Sequence, residues 1–517
     1  MIIPEIEEIF DDIKSEQSYN VLHQEDGRTV SVNSFTHNVG SFYEKIRYMV
    51  DYKDEHNIAR DAVARMLKRI LLYHNKEKVG EMLLKELVSG RYIPNDVVSE
   101  KISELIKGIV AKYFSLASSL GLTDELAVHL ASSEIELYLN PRVSESAVAN
   151  GFYKVAKKRI VRDDIGFDVN FDICLYIACR KKIFDEDIHG LRYFVIQWLF
   201  PGLRTFKAGD PIPDGMEQKM AAALRDIDEC LESPLLSKLM SRLRNEGVYF
   251  SLVHEMIKQN GMGAKLYFDS QTALEQKVRE MMTDIYAAKK KLLARSGIQA
   301  VVYVLATKIV IALAVEVPYE YFFLNHLDYL ALGVNVIFHP LLLMTMVNTA
   351  PKGDAKNTDA IVEGLSNILY GGEQKPIYIK RAGPGGFASF VYGILYVILY
   401  VVVLGGIFTI LNKLNFNIAS ITLFLLFLGL VSYFGIRIRH KARQWIVSTK
   451  RTSLPALAWD YFTLPVVKTG KYLGEKFSTV NVFVFILDFI IETPFKIILG
   501  TFDNFVSYLN DKRDELI

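Results

Sequence analysis

The feature that most constrains this chain is a pair of long uncharged runs in its C-terminal half. The segment 387–411 contains no charged residue, and neither does the segment 418–436. A helix that crosses a lipid bilayer needs about 20 consecutive, mostly apolar residues. Both segments meet this requirement, so the sequence predicts that each is a membrane span.

Two further apolar runs, 297–316 and 328–348, reach a similar length. Their outer ends carry Glu316 and Asp328, and the interior of each run contains one basic side chain, Lys308 in the first and His339 in the second. Ionisable residues within spans are rare and usually face the interior of a helix bundle. We therefore predict four spans that pair as two antiparallel hairpins.

The N-terminal half has a different character. Residues 1–295 contain no uncharged run of membrane length, and apolar residues recur there at helical spacing, as in the stretch 54–74, "DEHNIARDAVARMLKRILLYH". This spacing indicates amphipathic helices that bury one face. The predicted fold class is all-α, and its parts are a helical domain (1–295), a first hairpin (296–348), a connector (349–386), a second hairpin (387–436) and a basic segment with amphipathic interfacial helices (437–517).

The distribution of Lys and Arg predicts the orientation of the spans. Basic residues beside a span favour the cytoplasmic side of a membrane. They concentrate before the first span, between the second and third, and after the fourth, whereas the opposite turns contain only Lys413. We expect a plasma or inner membrane protein with both termini in the cytoplasm, and tight outer turns at "EVPYEYFFLNHLD" and "NKLNFN".

Lys308 is the residue in the spans that most needs a partner. It follows Gly297 by eleven residues, about 16 Å along a helix, so it lies near the middle of a hydrocarbon core about 30 Å thick. In a tight hairpin the groups at a similar depth are Asn335, His339 and the backbone carbonyl that Pro340 leaves without a helical donor. The sequence predicts a polar cluster of Lys308, Asn335 and His339. Two acids, Glu316 and Asp328, would lie about 12 Å further out.

Tyrosines add a second polar stripe in the third span. Tyr392, Tyr396 and Tyr400 are spaced by four residues, which places them on one helix face. They are predicted either to pack against neighbouring helices or to extend the polar cluster. The cluster itself is compatible with an ion path and with structural hydrogen bonding between helices, and the structural role is the one we expect.

The last part of the chain is rich in Phe yet has a narrow polar stripe. Asp488, Glu492 and Lys496 recur every four residues. Such a helix typically lies in the headgroup region, with its aromatic face towards the acyl chains. The alternative is that the stripe packs against the bundle and meets a buried cation.

No motif in the chain predicts chemistry. No catalytic constellation, cofactor-binding motif or metal-ligand spacing is recognisable, and a net charge of +1 gives no reason to expect nucleic acid. The three cysteines argue against a disulfide framework. Two basic clusters, 157–162 and 180–182, are compatible with contacts to anionic lipid, but acidic residues follow both.

These observations favour an interaction protein over an enzyme. We expect a membrane-anchored scaffold whose cytosolic helical platform binds a protein partner, with the lipid bilayer as its other partner and homo-oligomerisation left open. The first alternative is a small-ion or solute transporter or channel component that uses the polar core around Lys308. The second is an enzyme that modifies lipids or their headgroups.

Overall fold

The structure is a computed structural model of the full chain. It describes the following residues: 2–19, 55–73, 76–93, 101–162, 169–207, 209–210, 215–325, 328–372, 375–379, 386–448 and 454–479. The described chain is almost entirely helical, so the all-α prediction is confirmed. Its described residues form two compact units, one within Met1–Lys265 and Ile368–Ile379 and the other within Leu266–Asn367 and Lys380–Asn481.

The first unit is a helical domain. Its helices of eight residues or more are α1 (Pro4–Tyr19), α2 (Glu55–Tyr73), α3 (Val79–Ser89), α4 (Ile102–Leu120), α5 (Asp124–Leu139), α6 (Val143–Arg159), α7 (Phe171–Phe184), α8 (Ile188–Leu199), α9 (Met216–Glu232), α10 (Pro234–Arg242) and α11 (Arg244–Asn260). Two short strands, β1 (Ile160–Arg162) and β2 (Ile377–Ile379), pair in parallel.

Helix α1 shows how the first unit is held together. Its apolar face is buried against α6, where Gly151 allows a close approach. A Cβ atom at Gly151 would stand 2.5 Å from Cδ1 of Ile9. A helix that is amphipathic in sequence thus gains its stability from the packing of that face, as is usual for surface helices.

The second unit contains the predicted spans. Its helices are α12 (Gln271–Ile311), α13 (Tyr329–Asn348), α14 (Ala355–Leu369, whose last two residues belong to the first unit), α15 (Gly386–Lys413), α16 (Ile418–Ala442) and α17 (Leu454–Thr479). Four helical stretches in the described chain are long and apolar enough to cross a membrane: Gln271–Leu324, Tyr329–Asn348, Phe390–Lys413 and Ile418–His440. They are consistent with a protein embedded in a membrane.

The first of these stretches is longer than the sequence predicted. Helix α12 is followed without a break by a π-helical segment Ala312–Glu316, a short α-helical turn and a second π-helical segment Glu320–Leu324. The prediction of a tight outer turn across "EVPYEYFFLNHLD" is therefore wrong for its first nine residues. Helical hydrogen bonding continues until Asn325, which ends the helix in the left-handed conformation (φ 50°).

Helix α12 is also continuous at its other end. It runs for 41 residues through Gly297, where a Cβ atom would stand 2.5 Å from Cγ1 of Val347 on α13. The glycine therefore serves close helix packing, a common use of small residues in membrane helices. Because α12 continues into the first span, residues 271–295 belong to the second unit, which places the boundary between the units earlier than residue 295.

Helix α17 packs along α16, and the two backbones meet at a pair of glycines. A Cβ atom at Gly470 would stand 1.9 Å from the carbonyl oxygen of Gly429. Gly429 lies eleven residues from either end of the candidate span 418–440, so this contact is at mid-span depth. The absence of a side chain at both positions therefore lets α17 approach α16 closely.

The cysteines lie in the core of the first unit. Cys174 on α7 and Cys230 on α9 form a disulfide, and Cys179 is a buried free thiol. The expectation that the cysteines stay unpaired is therefore wrong for this pair. Burial raises the pKa of the Cys179 thiol well above its usual range, so it is a packing residue and not a nucleophile.

Candidate functional site

The predicted partners of Lys308 meet it in the second unit. The ammonium group donates a hydrogen bond of 2.7 Å to Oδ1 of Asn335, across the interface of α12 and α13. Neither side chain is exposed to any measurable extent. A buried ammonium requires acceptors, and here the nearest acceptor is the amide that the sequence placed at the same depth.

Glu316 joins this pair, which the sequence did not predict. Its Oε1 accepts a 2.7 Å hydrogen bond from Nδ2 of Asn335 and lies 3.9 Å from Nζ of Lys308. In a regular α-helix, a residue eight positions along is rotated by about 80° from the first. A π-helical segment accommodates about one extra residue, which turns Glu316 back towards the face of Lys308.

His339 completes what we call the polar cluster: Lys308, Glu316, Asn335 and His339. Its Nδ1 lies 3.0 Å from the backbone oxygen of Asn335, and its Nε2 lies 3.1 Å from that of Phe424 on α16. The imidazole therefore links α13 to α16. It does not contact Lys308 through a hydrogen bond, so its role differs from the acceptor role that the sequence left open.

The aromatic side chains of α16 close the polar cluster. The ring of Phe427 lies 4.3 Å from the ammonium of Lys308, a cation–π contact. The ring of Phe424 packs edge-on against His339, with 4.7 Å between ring centroids. The cluster is thus buried inside the bundle, and all its members except one carboxylate oxygen of Glu316 have partners.

A second buried carboxylate lies one turn beyond the polar cluster. Glu320 accepts hydrogen bonds from Nδ2 of Asn417 (2.7 Å) and from the backbone N–H of Asp328 (3.2 Å). Asn417 also caps α16 through Ser420, and Asp328 caps α13. Glu320 therefore joins the extension of α12 to the N-termini of the two neighbouring helices.

The three tyrosines of α15 lie away from the polar cluster. Tyr392 is exposed, and the hydroxyl groups of Tyr396 and Tyr400 lie 3.3 Å apart. The ammonium of Lys468 on α17 stands 4.5 Å from the ring of Tyr396. None of the contacts described for these tyrosines reaches Lys308, so they join α15 to α17 and do not extend the cluster.

A separate polar contact fastens the other end of the bundle. Asn357 on α14 is buried, and its Nδ2 donates to the hydroxyl of Tyr286 (2.6 Å) and to the backbone oxygen of Trp445 (2.8 Å). Its Oδ1 accepts from the backbone N–H groups of Val447 (2.8 Å) and Ser448 (3.0 Å). One amide thereby ties α12, α14 and the segment after α16 together.

The remaining predicted residues give no second site. The tail stripe of Asp488, Glu492 and Lys496 lies outside the described residues. Basic residues of the 157–162 cluster form ion pairs within the first unit; for example, Nζ of Lys157 lies 2.8 Å from Oδ1 of Asp172. Over the portion of the chain that the structure describes, no group of three or more His, Cys, Asp or Glu side chains is placed to hold a metal ion.

The first unit contains one unusual pair of titratable groups. The rings of His129 on α5 and His189 on α8 stack with their centroids 3.5 Å apart. Burial and the neighbouring His189 lower the pKa of His129 to about 4, and burial lowers the pKa of His189. Both rings are therefore neutral near pH 7, which permits their stacking.

The chain matches no family model, no curated protein and no solved structure with which it was compared. The fold and the polar cluster therefore define only a class: a helical protein with four candidate membrane spans. Sequence reasoning placed Glu316 too far from Lys308 because it assumed regular helices, and it missed Glu320 and Asn417 because it assigned them to outer turns. The spacing of four between the two glutamates was the available signal.

Proposed function

We propose that this protein is a non-enzymatic membrane-anchored scaffold, which presents its helical domain to a protein partner. The observation that carries the proposal is the polar cluster. Its members are buried and bonded to three helices, an arrangement that supports a fastening role and not an open conduit.

The continuity of α12 supports the same proposal. At 41 residues it is about 60 Å long, twice the hydrocarbon thickness of a bilayer. Gly297 and Lys308 fix its membrane portion against α13. A single helix that is held among the candidate spans and is longer than a bilayer is thick supports the anchoring part of the proposal.

The orientation is part of the proposal. The basic residues beside the spans favour a cytoplasmic location for both termini in a plasma or inner membrane, with anionic lipid at the inner surface as a further contact. The Cys174–Cys230 disulfide argues against a cytoplasmic location of the first unit, since disulfides persist mainly in oxidising compartments.

Cysteine labelling in intact cells measures the orientation directly. The three native cysteines are buried, so an impermeant maleimide reports on introduced ones. We expect Lys413→Cys, at the exposed C-terminal end of α15, to be labelled from outside, and the matched variant Lys352→Cys to be labelled only after permeabilisation. The reverse pattern would overturn the proposed orientation.

Two measurements test the scaffold role. Proteoliposomes that contain the full chain are expected to show the same proton, Na⁺ and K⁺ flux as protein-free liposomes. Chemical crosslinking in native membranes is expected to join exposed lysines of the first unit, such as Lys68 and Lys107, to one recurrent protein. A flux that Lys308→Met abolishes, with the fold intact, would refute the scaffold in favour of a transporter. A catalysed lipid conversion would refute it in favour of an enzyme.

A further inference from the structure

The polar cluster and Glu320 contain more negative than positive side chains. Glu316 and Glu320 are 1% and 2% exposed, and within the described part of the second unit Lys308 is the single buried Lys or Arg. A buried charge without a counter-charge is strongly unfavourable. With both carboxylates ionised and the imidazole of His339 neutral, this part of the bundle therefore lacks one positive charge.

The helix ends do not supply the missing charge. Glu316 and Glu320 lie in the last two turns of the extended α12, where the partial charge of the helix is negative. The partial positive charge at the N-terminus of α13 is already matched by the carboxylate of Asp328, which accepts from two backbone N–H groups there. The local backbone thus increases the imbalance.

The hydrogen bonds show which carboxylate is incompletely satisfied. Each oxygen of Glu320 has a donor, Asn417 for one and Asp328 N–H for the other. For Glu316, Oε1 has the amide of Asn335, whereas Oε2 is buried and has no hydrogen-bond partner among the described residues. A buried carboxylate oxygen without a donor is costly to leave unpaired.

The groups around Glu316 come from each neighbouring element. Lys308 faces it from α12, Asn335 lies opposite on α13, and Glu320 follows it by four residues on the same helical stretch. Residues spaced by four lie about 6 Å apart on one helix face. His339 is held by two backbone carbonyls, and on α16 Phe427 covers the lysine. A positive charge at Oε2 would therefore lie close to both carboxylates.

We infer that the second unit binds one monovalent cation, a proton or an alkali metal ion, at Oε2 of Glu316. This site goes beyond the scaffold role and does not depend on it. A proton needs only this one oxygen. An alkali metal ion needs several oxygen ligands, and Glu320 would contribute to them. The π-helical segments are part of the site because they bring Glu316 onto the face of Lys308, and such segments often occur at functional positions.

The experiment measures the linkage between ion binding and stability in the purified full chain in detergent. The melting temperature is followed by tryptophan fluorescence in choline chloride from pH 5 to 9, and at fixed pH from 1 to 200 mM NaCl or KCl with choline as the balancing ion. Glu316→Gln keeps the shape of the side chain and removes its charge. Glu275→Gln, on an exposed part of α12, is the matched control.

If an alkali ion occupies the site, NaCl or KCl should raise the melting temperature of the wild type and of Glu275→Gln by several degrees. Glu316→Gln should not show this rise. A proton at the site predicts instead that the wild type loses several degrees as the pH rises, independently of salt, and that Glu316→Gln does not. Binding of radioactive Na⁺ or Rb⁺ at about one ion per chain would identify the alkali ion directly.

Two results would overturn the inference. One is that the wild type and Glu316→Gln respond equally to pH and to both salts. The other is that His339→Gln, and not Glu316→Gln, removes the pH response, which would place the proton on the imidazole. If Glu316→Gln does not fold, Glu316→Asp replaces it: this variant keeps the carboxylate and is expected to retain the response with at least tenfold weaker binding.

Discussion

Replacement of Asn335 by leucine tests the fastening role of the polar cluster. The amide accepts from Lys308 and donates to Glu316, both at 2.7 Å, and is completely buried. The change leaves those two charges facing each other at 3.9 Å without a bridging partner. We expect the bundle to lose stability, because the variant removes both bridging bonds and keeps both buried charges.

The size of the loss follows from known ranges. Hydrogen bonds to charged groups contribute about 1.5–3 kcal/mol each, whereas bonds between membrane helices average about 0.6 kcal/mol. Breaking a buried ion pair costs about 3–5 kcal/mol. With Lys308 and Glu316 still near each other, we expect Asn335→Leu to cost about 3 kcal/mol of unfolding free energy.

A double-mutant cycle separates coupling from simple packing loss. Lys308→Met alone is expected to cost about 3 kcal/mol, since it leaves Glu316 without its cation. The double variant Lys308→Met with Asn335→Leu should cost at least 1.5 kcal/mol less than the sum of the single variants, because residues in one network are coupled.

Steric trapping between biotin labels on exposed positions of α13 and α16 measures unfolding of this bundle in detergent. Thr307→Val is the control, since Thr307 is half-buried and its hydroxyl donates to Tyr303 of its own helix, and we expect less than about 0.5 kcal/mol for it. Strictly additive costs, or a loss for Asn335→Leu no larger than that of the control, would refute the argument that the polar cluster fastens the helices.

Three further changes probe other contacts. Gly470→Leu should separate α17 from α16, because its Cβ would collide with the Gly429 carbonyl oxygen. Limited proteolysis should then cleave within α17. The control Gly405→Ala, whose Cβ would meet no atom within 4 Å, should not have this effect. Asn357→Ala removes four hydrogen bonds and should cost about 2–4 kcal/mol, measured as faster hydrogen exchange in α14. His129 has a pKa of about 4 when folded, below the usual value of about 6.5, so the unfolded state binds more protons between these values and stability should fall as the pH drops from 6.5 towards 4. Hydrogen exchange of α5 and α8 should reveal this loss, and His129→Asn should reduce it.

Each of these predictions has an outcome that contradicts it. An uncleaved α17 in Gly470→Leu would mean that the close glycine contact does not position this helix. Unchanged exchange in Asn357→Ala would show that the amide is not what joins α12, α14 and the segment after α16. Equal acid sensitivity of the wild type and His129→Asn would assign the effect to other groups of the first unit.

The sequence by itself determined the fold class and the position of the four apolar helices that could span a membrane. Uncharged runs of membrane length admit few structures other than helices, since every backbone polar group in lipid must be satisfied within the chain. The depth of Lys308 also followed from the sequence, because the rise per residue of a helix is fixed. Its neighbour Asn335 could be named for the same reason.

Only the tertiary structure decided which groups meet at the polar cluster. Glu316 reaches Lys308 through a π-helical segment, and no propensity of "ALAVE" signals that change in helical geometry. The tyrosines of α15 contact α17 and not the polar cluster. Helix α17 in turn packs against α16 through two glycines that are far apart in sequence. Helical periodicity fixes which face of a helix a residue occupies. Which helix packs against that face depends on contacts between residues that are distant in sequence.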